Sequence, residues 1–195
     1  MSIEFYNQNA QLFFASTKEV DTHSLMEHFT PHIPKGGVIL DAGCGSGRDA
    51  KSFIEQGYKV VAFDASEELA SLASQLLQIP VTVSTFADFQ SDQSFDGIWA
   101  CASLLHVGEL DLPDTFTHLA SQLKPLAPLY CSFKYGTGEV ERDGRRFTNG
   151  DEQRLAQWIA HAPLNVAKIW ITNDLRADRQ NEQWLNAILI KSEER

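Results

Sequence analysis

The chain has 195 residues, which is enough for one domain with a sizeable hydrophobic core and leaves little room for a second. Hydrophobic residues make up 43% and charged residues 22%, a composition that is typical of a folded globular protein and excludes a disordered or fibrous one. The formal net charge of −10 argues against non-specific binding to DNA or RNA, because such binding depends on Lys and Arg neutralising phosphates.

The absence of several sequence features favours a cytoplasmic protein with small-molecule partners. No stretch approaches the roughly 18 to 20 unbroken apolar residues of a membrane span. The N-terminal residues have neither the basic nor the apolar region of a signal peptide. Cys44, Cys101 and Cys131 lie far apart without CxxC spacing, which disfavours a disulfide framework and a zinc site. We therefore expect no metal, no membrane partner and no nucleic-acid partner.

Residues 1–34 are predicted to form a helical cover over the rest of the fold. Four residues recur at helical spacing in the first pattern: Tyr6, Ala10, Phe13 and Phe14. A second helix is expected to begin at Asp21 or Thr22, either of which could cap it, and to end before Pro31. Because both helices precede the first strand, we expect them to lie across the sheet.

Residues 38–49 are predicted to form a strand, a tight loop and the start of a helix. The strand runs from Val38 to Asp41, and Gly43, Gly45 and Gly47 follow at intervals of two before the helical pattern begins. Glycine allows the chain to adopt φ > 0 and lets the backbone lie against a ligand. The first turn of the helix adds unpaired N–H donors and the positive end of a dipole, so we expect a ligand with an anionic group.

Strands and helices alternate along the middle of the chain. Strands are predicted at 58–64, 80–85, 95–101 and 129–134, and helices at 48–56, after Ser66 and at 112–123. This alternation indicates βαβ units and a parallel sheet with helices on both faces. Residues 164–172 and 184–191 are also strand-like, but the polar segment between them is too short and has no apolar face for a parallel crossover. We therefore predict that the last strand is antiparallel.

Acidic residues end several of these strands, and the carboxyl ends of parallel strands meet at one crevice. They are Asp41, Asp64 and Asp88. Asp64 lies 21 residues beyond Gly43, the position of the acid that binds ribose in dinucleotide-binding folds, which makes NAD a candidate ligand. The NAD fingerprint G-x-G-x-x-G would require glycine at position 48, however, and this chain has Arg48.

The segment from Asp41 to Gly47 resembles motif I of class I S-adenosylmethionine-dependent methyltransferases. The resemblance extends to the antiparallel last strand and implies a three-layer α/β/α Rossmann-like fold with a mostly parallel seven-stranded sheet. It implies that Asp64 accepts hydrogen bonds from both ribose hydroxyls and that Asp88 accepts one from the adenine amino group. It further implies that Ala87 or Phe89 contacts the adenine ring.

Residues 95–107 are similar to the fourth strand and following loop that flank the methionine part of the cofactor in that family. Within them, residues 104–106 resemble small bacterial methyltransferases, including the tellurite-resistance type. The expected cofactor is S-adenosyl-L-methionine, and its product is S-adenosyl-L-homocysteine. The expected binding residues are Tyr6, Asp41, Gly43, Cys44, Gly45, Gly47, Arg48, Asp64, Ala65, Asp88, Phe89, Ala100 and Ser103.

Methyl transfer from a sulfonium is an in-line displacement, so the protein mainly has to hold the reactants aligned and dry. A base helps when the attacking atom of the acceptor carries a proton. His106 is the candidate catalytic base by position, and the alternative is a loop histidine that packs beneath the N-terminal helices. Tyr6 is expected either to close over the cofactor or to pack in the core.

Residues 135–150 are predicted to form a glycine-rich loop that holds three arginines. Glycines provide hinges and arginine binds carboxylates or oxyanions, so we expect a lid that selects an anionic substrate through Tyr135, Arg145 and Arg146. The alternative is a solvated loop. Three residues near the terminal strands either line the same opening or pack in the core: Trp170, Arg176 and Trp184.

The sequence therefore predicts a methyltransferase that acts on a small-molecule acceptor, and the arginines are compatible with an anionic one. Carboxylate, thiol, amine, halide and metalloid oxyanion acceptors all stay open at this point. One alternative is a non-catalytic protein that binds S-adenosylmethionine as a sensor or regulator. The other is an NAD-dependent oxidoreductase, which Arg48 disfavours. We expect a monomer or a homodimer.

Overall fold

The computed structural model of this chain describes residues 2–176 and 179–193. The strands in this part are β1 (Val38–Ala42), β2 (Lys59–Asp64), β3 (Val81–Val83), β4 (Gly97–Ala100), β5 (Pro128–Lys134), β6 (Glu139–Arg142), β7 (Arg145–Thr148), β8 (Leu164–Asn173) and β9 (Gln183–Lys191). Seven of them form one sheet in the order β3-β2-β1-β4-β5-β9-β8, and β6 and β7 form a separate hairpin.

The sheet is mostly parallel, and its last strand in sequence runs the other way. β1 pairs in parallel with β2 and β4, with Leu40 opposite Val61 and Ile98. β9 is antiparallel to β5 on one side and to β8 on the other. The prediction of a mostly parallel seven-stranded sheet with an antiparallel last strand is confirmed.

Helices cover both faces of the sheet. They are α1 (Ser2–Gln8), α2 (Ala10–Thr17), α3 (His23–Phe29), α4 (Arg48–Glu55), α5 (Glu67–Leu77), α6 (Leu112–Ser121) and α7 (Glu152–Trp158). Side chains alternate along β1, so Ile39 packs with α3 and α4 on one face while Leu40 packs with α6 and α7 on the other. Neither α1–α7 nor any other helix in the described ranges is both long and apolar enough to span a bilayer.

The N-terminal cover differs from its prediction in one detail. The first helical pattern is interrupted at Asn9, whose φ of −113° and ψ of 17° are not helical, so it forms α1 and α2 instead of one helix. The second pattern is α3, with Thr22 at its N-cap position. The Thr22 hydroxyl does not cap the helix, because it donates a hydrogen bond to Asp49 at 2.7 Å.

Residues 135–150 contain a β-hairpin where the sequence analysis expected a loop. β6 and β7 pair antiparallel from Glu139 opposite Thr148 to Arg142 opposite Arg145. The two residues between them, Asp143 and Gly144, have φ values of 52° and 72°. Asp-Gly is the preferred pair for a two-residue turn of this kind, so the signal was present in the sequence and was missed. The short helix α7 was also not predicted.

Candidate active site

The glycine-rich loop leaves β1 in a conformation that only glycine adopts easily. Gly43, Gly45 and Gly47 have φ values of 75°, 56° and 77°. A Cβ added to Gly43 would lie 2.6 Å from Cβ of Ser103, so the loop can lie against the segment after β4 only without a side chain there. The Ser103 hydroxyl donates to the Ala42 carbonyl at 2.7 Å and fixes this contact.

The start of α4 is partly occupied by a carboxyl group that belongs to the chain itself. Asp41 is buried at the end of β1, and its Oδ2 accepts a hydrogen bond from the backbone N–H of Ala50 at 3.1 Å. Burial, and then the nearby Asp49 carboxylate, raise the pKa of Asp41 well above its usual value. An external anion at this helix therefore shares the site with the Asp41 side chain.

Arg48 and Asp49 form a buried network that the sequence analysis did not identify. Arg48 donates from Nε and Nη2 to the two oxygens of Asp49 at 2.7 and 2.9 Å. Asp49 also accepts from Nε1 of Trp99 at 2.8 Å and from Thr22, so it joins the cover, β4 and the loop. Burial acts to raise the pKa of Asp49, but the Arg48 guanidinium outweighs it and holds the pKa below its usual value.

Asp64 lies at the end of β2 with both carboxylate oxygens turned to the loop region. Its Oδ2 accepts from the Gly45 backbone N–H at 2.8 Å and its Oδ1 accepts from the Ser66 backbone N–H at 2.9 Å. Each oxygen keeps a lone pair for a further donor. Burial raises the pKa of Asp64 despite these bonds, which indicates that the carboxylate lacks part of the solvation that ionised groups require.

The segment after β3 places the residues predicted to contact the adenine in different environments. Asp88 is exposed, and its carboxylate accepts from the Thr85 hydroxyl at 2.6 Å within a local turn. Phe89 is 4% exposed and stacks on Phe63 with ring centroids 4.4 Å apart, so its ring belongs to the core. Ala87, the alternative to Phe89, lines a cavity together with Phe86. The Phe89 ring is therefore packed against β2 and lines neither of the two cavities described below.

The segment after β4 places the two residues predicted there, Ala100 and Ser103, in different environments. Ala100 is fully buried in the core, so its side chain does not reach a cavity. Ala102 lies two residues further on, has a φ of 52° and donates its backbone N–H to the Ser132 hydroxyl at 2.8 Å. This left-handed conformation turns the chain away from β4 and exposes Ala102 in the crevice. Ser103 lines the crevice as expected.

Two cavities meet at these strand ends. The first, which we call the Asp64 cavity, has a volume of about 650 Å³ and is lined by Asp64, Ala65, Phe86 and Ala87, among others. The second, which we call the basic cavity, has a volume of about 160 Å³ and lies beside Arg48 and Asp49. Their lining residues overlap, and the shared residues define the junction: Tyr6, Phe13, Gly45, Ala102 and His106.

Tyr6 and His106 form a hydrogen-bonded pair at the junction. The Tyr6 hydroxyl lies 2.9 Å from Nε2 of His106, and Nδ1 of His106 lies 2.7 Å from the carbonyl oxygen of Arg146. Burial, helped by the positive charges of Arg145 and Lys134, lowers the pKa of His106 to about 4. The imidazole is therefore neutral at neutral pH.

Positive charge is concentrated in the basic cavity although the protein is acidic overall. Five basic side chains of the described residues line it: Arg48, Lys134, Arg145, Arg176 and Arg179. The acidic side chains that line it in the same part of the chain are Asp49 and Asp174. Arg145 comes from the hairpin and packs its guanidinium 4.3 Å from the ring centroid of Phe5 and 5.2 Å from that of Phe147. Its buried Nε has no hydrogen-bond partner among residues 2–176 and 179–193.

The three residues predicted to bind substrate have different positions. Arg145 lines the basic cavity, whereas Arg146 lines the Asp64 cavity. Tyr135 lines neither cavity; it is 42% exposed and donates its hydroxyl to Glu152 at 3.1 Å. Of the residues near the terminal strands, Arg176 and Trp184 line the basic cavity. Trp170 packs against Tyr130 and the core behind the sheet.

The comparisons with known proteins agree with this architecture. Residues 39–126 match a family model described as a methyltransferase domain. A putative methyltransferase of Bacillus subtilis (strain 168), YqeM, is 30% identical over 167 residues, which cover 76% of this chain and 66% of that protein. The chain belongs to the class I S-adenosylmethionine-dependent methyltransferases.

Other matches fall within the same family. The ubiquinone biosynthesis O-methyltransferase of Rickettsia akari (strain Hartford) is 30% identical over 103 residues, or 50% of this chain and 40% of that protein. A crystal structure of the 1,6-didemethyltoxoflavin-N1-methyltransferase of Burkholderia thailandensis has a TM-score of 0.78 at 19% identity, covering 98% of this chain and 85% of that chain. The chain spans about two thirds of the first relative's length and two fifths of the second's, so these relatives show the family and not the acceptor.

The cofactor of this family is S-adenosylmethionine, and the Asp64 cavity fits it. The volume of about 650 Å³ lies within the usual range for small-molecule sites, roughly 300 to 1,000 Å³. Asp64 offers free lone pairs to a pair of hydroxyl donors and gains solvation from them. Gly45 also lines this cavity, and the absence of a Cβ there lets the Phe13 ring pack against it, since an added Cβ would lie 3.3 Å from that ring.

Proposed function

We propose that this protein transfers a methyl group from S-adenosylmethionine to a small anionic acceptor. The observation that carries this proposal is the junction of the two cavities, where Gly45 and Ala102 leave open space beside the Tyr6–His106 pair. A methyltransferase needs two binding sites that meet at one point, since the methyl donor and the attacking atom must approach in line. A protein that only binds the cofactor has no need for the second site.

The Asp64 cavity is the proposed cofactor site. Asp64 would hold the ribose hydroxyls, and Ala65, Phe86 and Ala87 would line the adenosine part. The glycine loop and Ser103 would lie along the methionine part, where Gly45 lets the backbone approach closely. Bound S-adenosylmethionine supplies an electrophilic methyl group on a positively charged sulfur.

The basic cavity is the proposed acceptor site. Its volume of about 160 Å³ suits a molecule of few heavy atoms. Arg145 faces it with a guanidinium held between aromatic rings and with an Nε that has no partner in the described part of the chain, which is an arrangement that can bind a carboxylate or another oxyanion. Lys134, which donates to Glu182 at 2.5 Å, adds a second positive charge.

The hairpin and helix α1 are the proposed lid over both cavities. The Arg146 backbone N–H donates to the Ser2 hydroxyl at 3.1 Å, and Arg145 stacks on Phe5. These contacts join the cover, residues 1–34, to the segment 135–150, and we infer that residues 1–195 act as one domain with these two parts closing it. Closure would exclude water from the junction and complete the acceptor site.

Calorimetric titration with S-adenosylmethionine, S-adenosylhomocysteine and NAD tests the cofactor half of the proposal. We expect one site per chain for each of the first two ligands and no binding of NAD. A screen of small acids, detecting S-adenosylhomocysteine as the product, tests the transfer half. Binding of NAD alone would support the oxidoreductase hypothesis, and cofactor binding without turnover of any acceptor would support a sensor.

A further inference from the structure

The groups around Tyr6 determine the atom to which its hydroxyl donates a hydrogen bond. A backbone carbonyl oxygen can only accept, so the contact of 2.7 Å between Nδ1 of His106 and the Arg146 carbonyl requires the proton on Nδ1. In the neutral ring Nε2 then carries a lone pair, and the Tyr6 hydroxyl, 2.9 Å away, donates to it. The oxygen of Tyr6 is left with lone pairs and no proton for any other partner.

Tyr6 lies at the junction of the two cavities, since it lines both of them. The other residues that line both cavities are Phe13, Gly45 and Ala102, whose side chains have no polar atoms. Arg145 lies on one side of Tyr6, with its guanidinium 6.0 Å from the ring centroid. One lone pair of the Tyr6 oxygen therefore remains for a donor on a bound molecule.

We propose that the acceptor is a small amine with an anionic group, and that its attacking nitrogen donates an N–H to the Tyr6 oxygen while His106 positions Tyr6. This inference rests on the proposed function and specifies the substrate class of the same site. The anionic group would lie toward Arg145 and Lys134, and the nitrogen would lie at the junction. A carboxylate oxygen in the place of the nitrogen would face the Tyr6 lone pair without a proton and would be repelled.

The side chains His106 and Cys101 near the junction are poor general bases, and this also favours an amine as the acceptor. The low pKa of His106, about 4, leaves it unable to hold a proton at neutral pH. Burial raises the pKa of the Cys101 thiol to about 12, so this neighbouring group is not a base either. A hydroxyl acceptor would need such a base, whereas a neutral amine does not. The positive charges of Arg145 and Lys134 favour the neutral amine over its ammonium form.

The transfer balances without a protein base. The nitrogen lone pair forms the new bond to the methyl carbon, and the electron pair of the breaking carbon–sulfur bond stays on sulfur. The positive charge passes from sulfur to nitrogen, and the methylated ammonium releases its proton to water after it leaves the site. The hydrogen bond to Tyr6 aims the nitrogen lone pair during this step.

Sinefungin provides a test that needs no knowledge of the acceptor. It is an analogue of S-adenosylmethionine in which an amine-bearing carbon replaces the methylated sulfur, so it places N–H donors where an attacking amine and the methyl group meet. S-adenosylhomocysteine has no group there. Calorimetry gives the dissociation constant of each ligand for wild type, Tyr6→Phe and His106→Asn, the last of which keeps an N–H donor toward the Arg146 carbonyl and loses the acceptor for Tyr6. Tyr58→Phe, at a tyrosine packed on Phe53 away from both cavities, is the matched control.

We expect Tyr6→Phe to weaken sinefungin binding about tenfold and to change S-adenosylhomocysteine binding by less than about twofold, because only the hydrogen bond from the sinefungin amine to the Tyr6 oxygen is lost. In the wild-type background, His106→Asn should lower the ratio of the affinity for sinefungin to that for S-adenosylhomocysteine. When it is added to Tyr6→Phe, it should not change this ratio further. Equal losses for both ligands, or effects of the two substitutions that add, would overturn the proposal. Methylation of an acceptor on oxygen or sulfur would also overturn it, whereas failure of every ligand to bind would refute the proposed function itself.

Discussion

Asp64 keeps a carboxylate in a position where burial raises its pKa. The folded protein therefore binds the carboxyl proton more tightly than the unfolded chain, and the ionised side chain lowers stability as the pH rises above its ordinary pKa of 3.8. A ligand that donates two hydrogen bonds to this carboxylate gains binding energy from the solvation that the free protein lacks. The residue thus favours ligand binding over stability.

Asp64→Asn should weaken S-adenosylmethionine binding about tenfold or more, since an amide accepts weaker hydrogen bonds and offers fewer lone pairs. Its melting temperature, taken relative to wild type, should be higher at pH 7 than at pH 4, because only the wild type carries the buried charge at pH 7. Calorimetry and thermal unfolding at the two pH values measure both effects. An unchanged affinity would remove Asp64 from the cofactor site.

His106 changes the stability with pH in the opposite direction to Asp64. Its pKa is lowered from 6.5 to about 4 by burial, so the unfolded chain takes up a proton between these values while the folded protein does not. The contribution of His106 to the free energy of unfolding is fully present above pH 6.5 and is lost as the pH falls towards 4. We expect wild type to lose on the order of 2 kcal/mol relative to His106→Asn over this interval. Denaturant unfolding from pH 4 to 7.5 measures this, with the exposed His23→Asn as control; parallel curves would contradict it.

At the scale of elements, the sequence predicts those helices, strands and turns whose formation depends on neighbouring residues. The apolar run Val38 to Leu40 and the glycines after it predicted β1, its loop and α4, because each depends on neighbouring residues only. The position of Asp64 at the end of β2 was predicted for the same reason, since an acid at a strand end has a fixed place in a parallel sheet. The hairpin was missed although Asp143-Gly144 indicates it.

The remaining parts of the site could not be predicted, because they depend on residues far apart in the chain. Asp49 bridges Thr22 and Trp99, and neither partner is near it in sequence. Lys134 ends β5, and the reach of its side chain into the basic cavity depends on β9 lying beside it. Phe89 fits the family pattern for an adenine contact, but its packing on Phe63 is set by the sheet.

The hairpin and α1 make the lid hypothesis testable by hydrogen exchange. In the free protein the two elements meet through a few contacts, including that of Ser2 with the Arg146 backbone, and α1 has no buried residue. Such elements open readily, so ligand binding should close them. We expect S-adenosylhomocysteine to slow amide exchange in Ser2–Gln8 and in Glu139–Thr148. Slower exchange confined to the glycine loop would contradict a lid.

At the scale of the whole molecule, the two cavities are lined by charges of opposite sign. The chain has a formal net charge of −10, yet most of the charged side chains that line the basic cavity in the described part are positive. The Asp64 cavity, by contrast, is lined by three aspartates, Asp64, Asp111 and Asp114, and by one arginine, Arg146, within the same described residues. A positively charged sulfonium and an anionic acceptor would each meet the opposite sign on its own side of the junction.

A crystal structure with S-adenosylhomocysteine bound tests the central claim most directly. The account predicts the ribose hydroxyls on Asp64, the adenine beside Phe86 and Ala87, and the sulfur at the junction, open to the basic cavity and to the Tyr6 oxygen. A ligand that binds with its sulfur closed off from the basic cavity, or whose ribose does not contact Asp64, would contradict it.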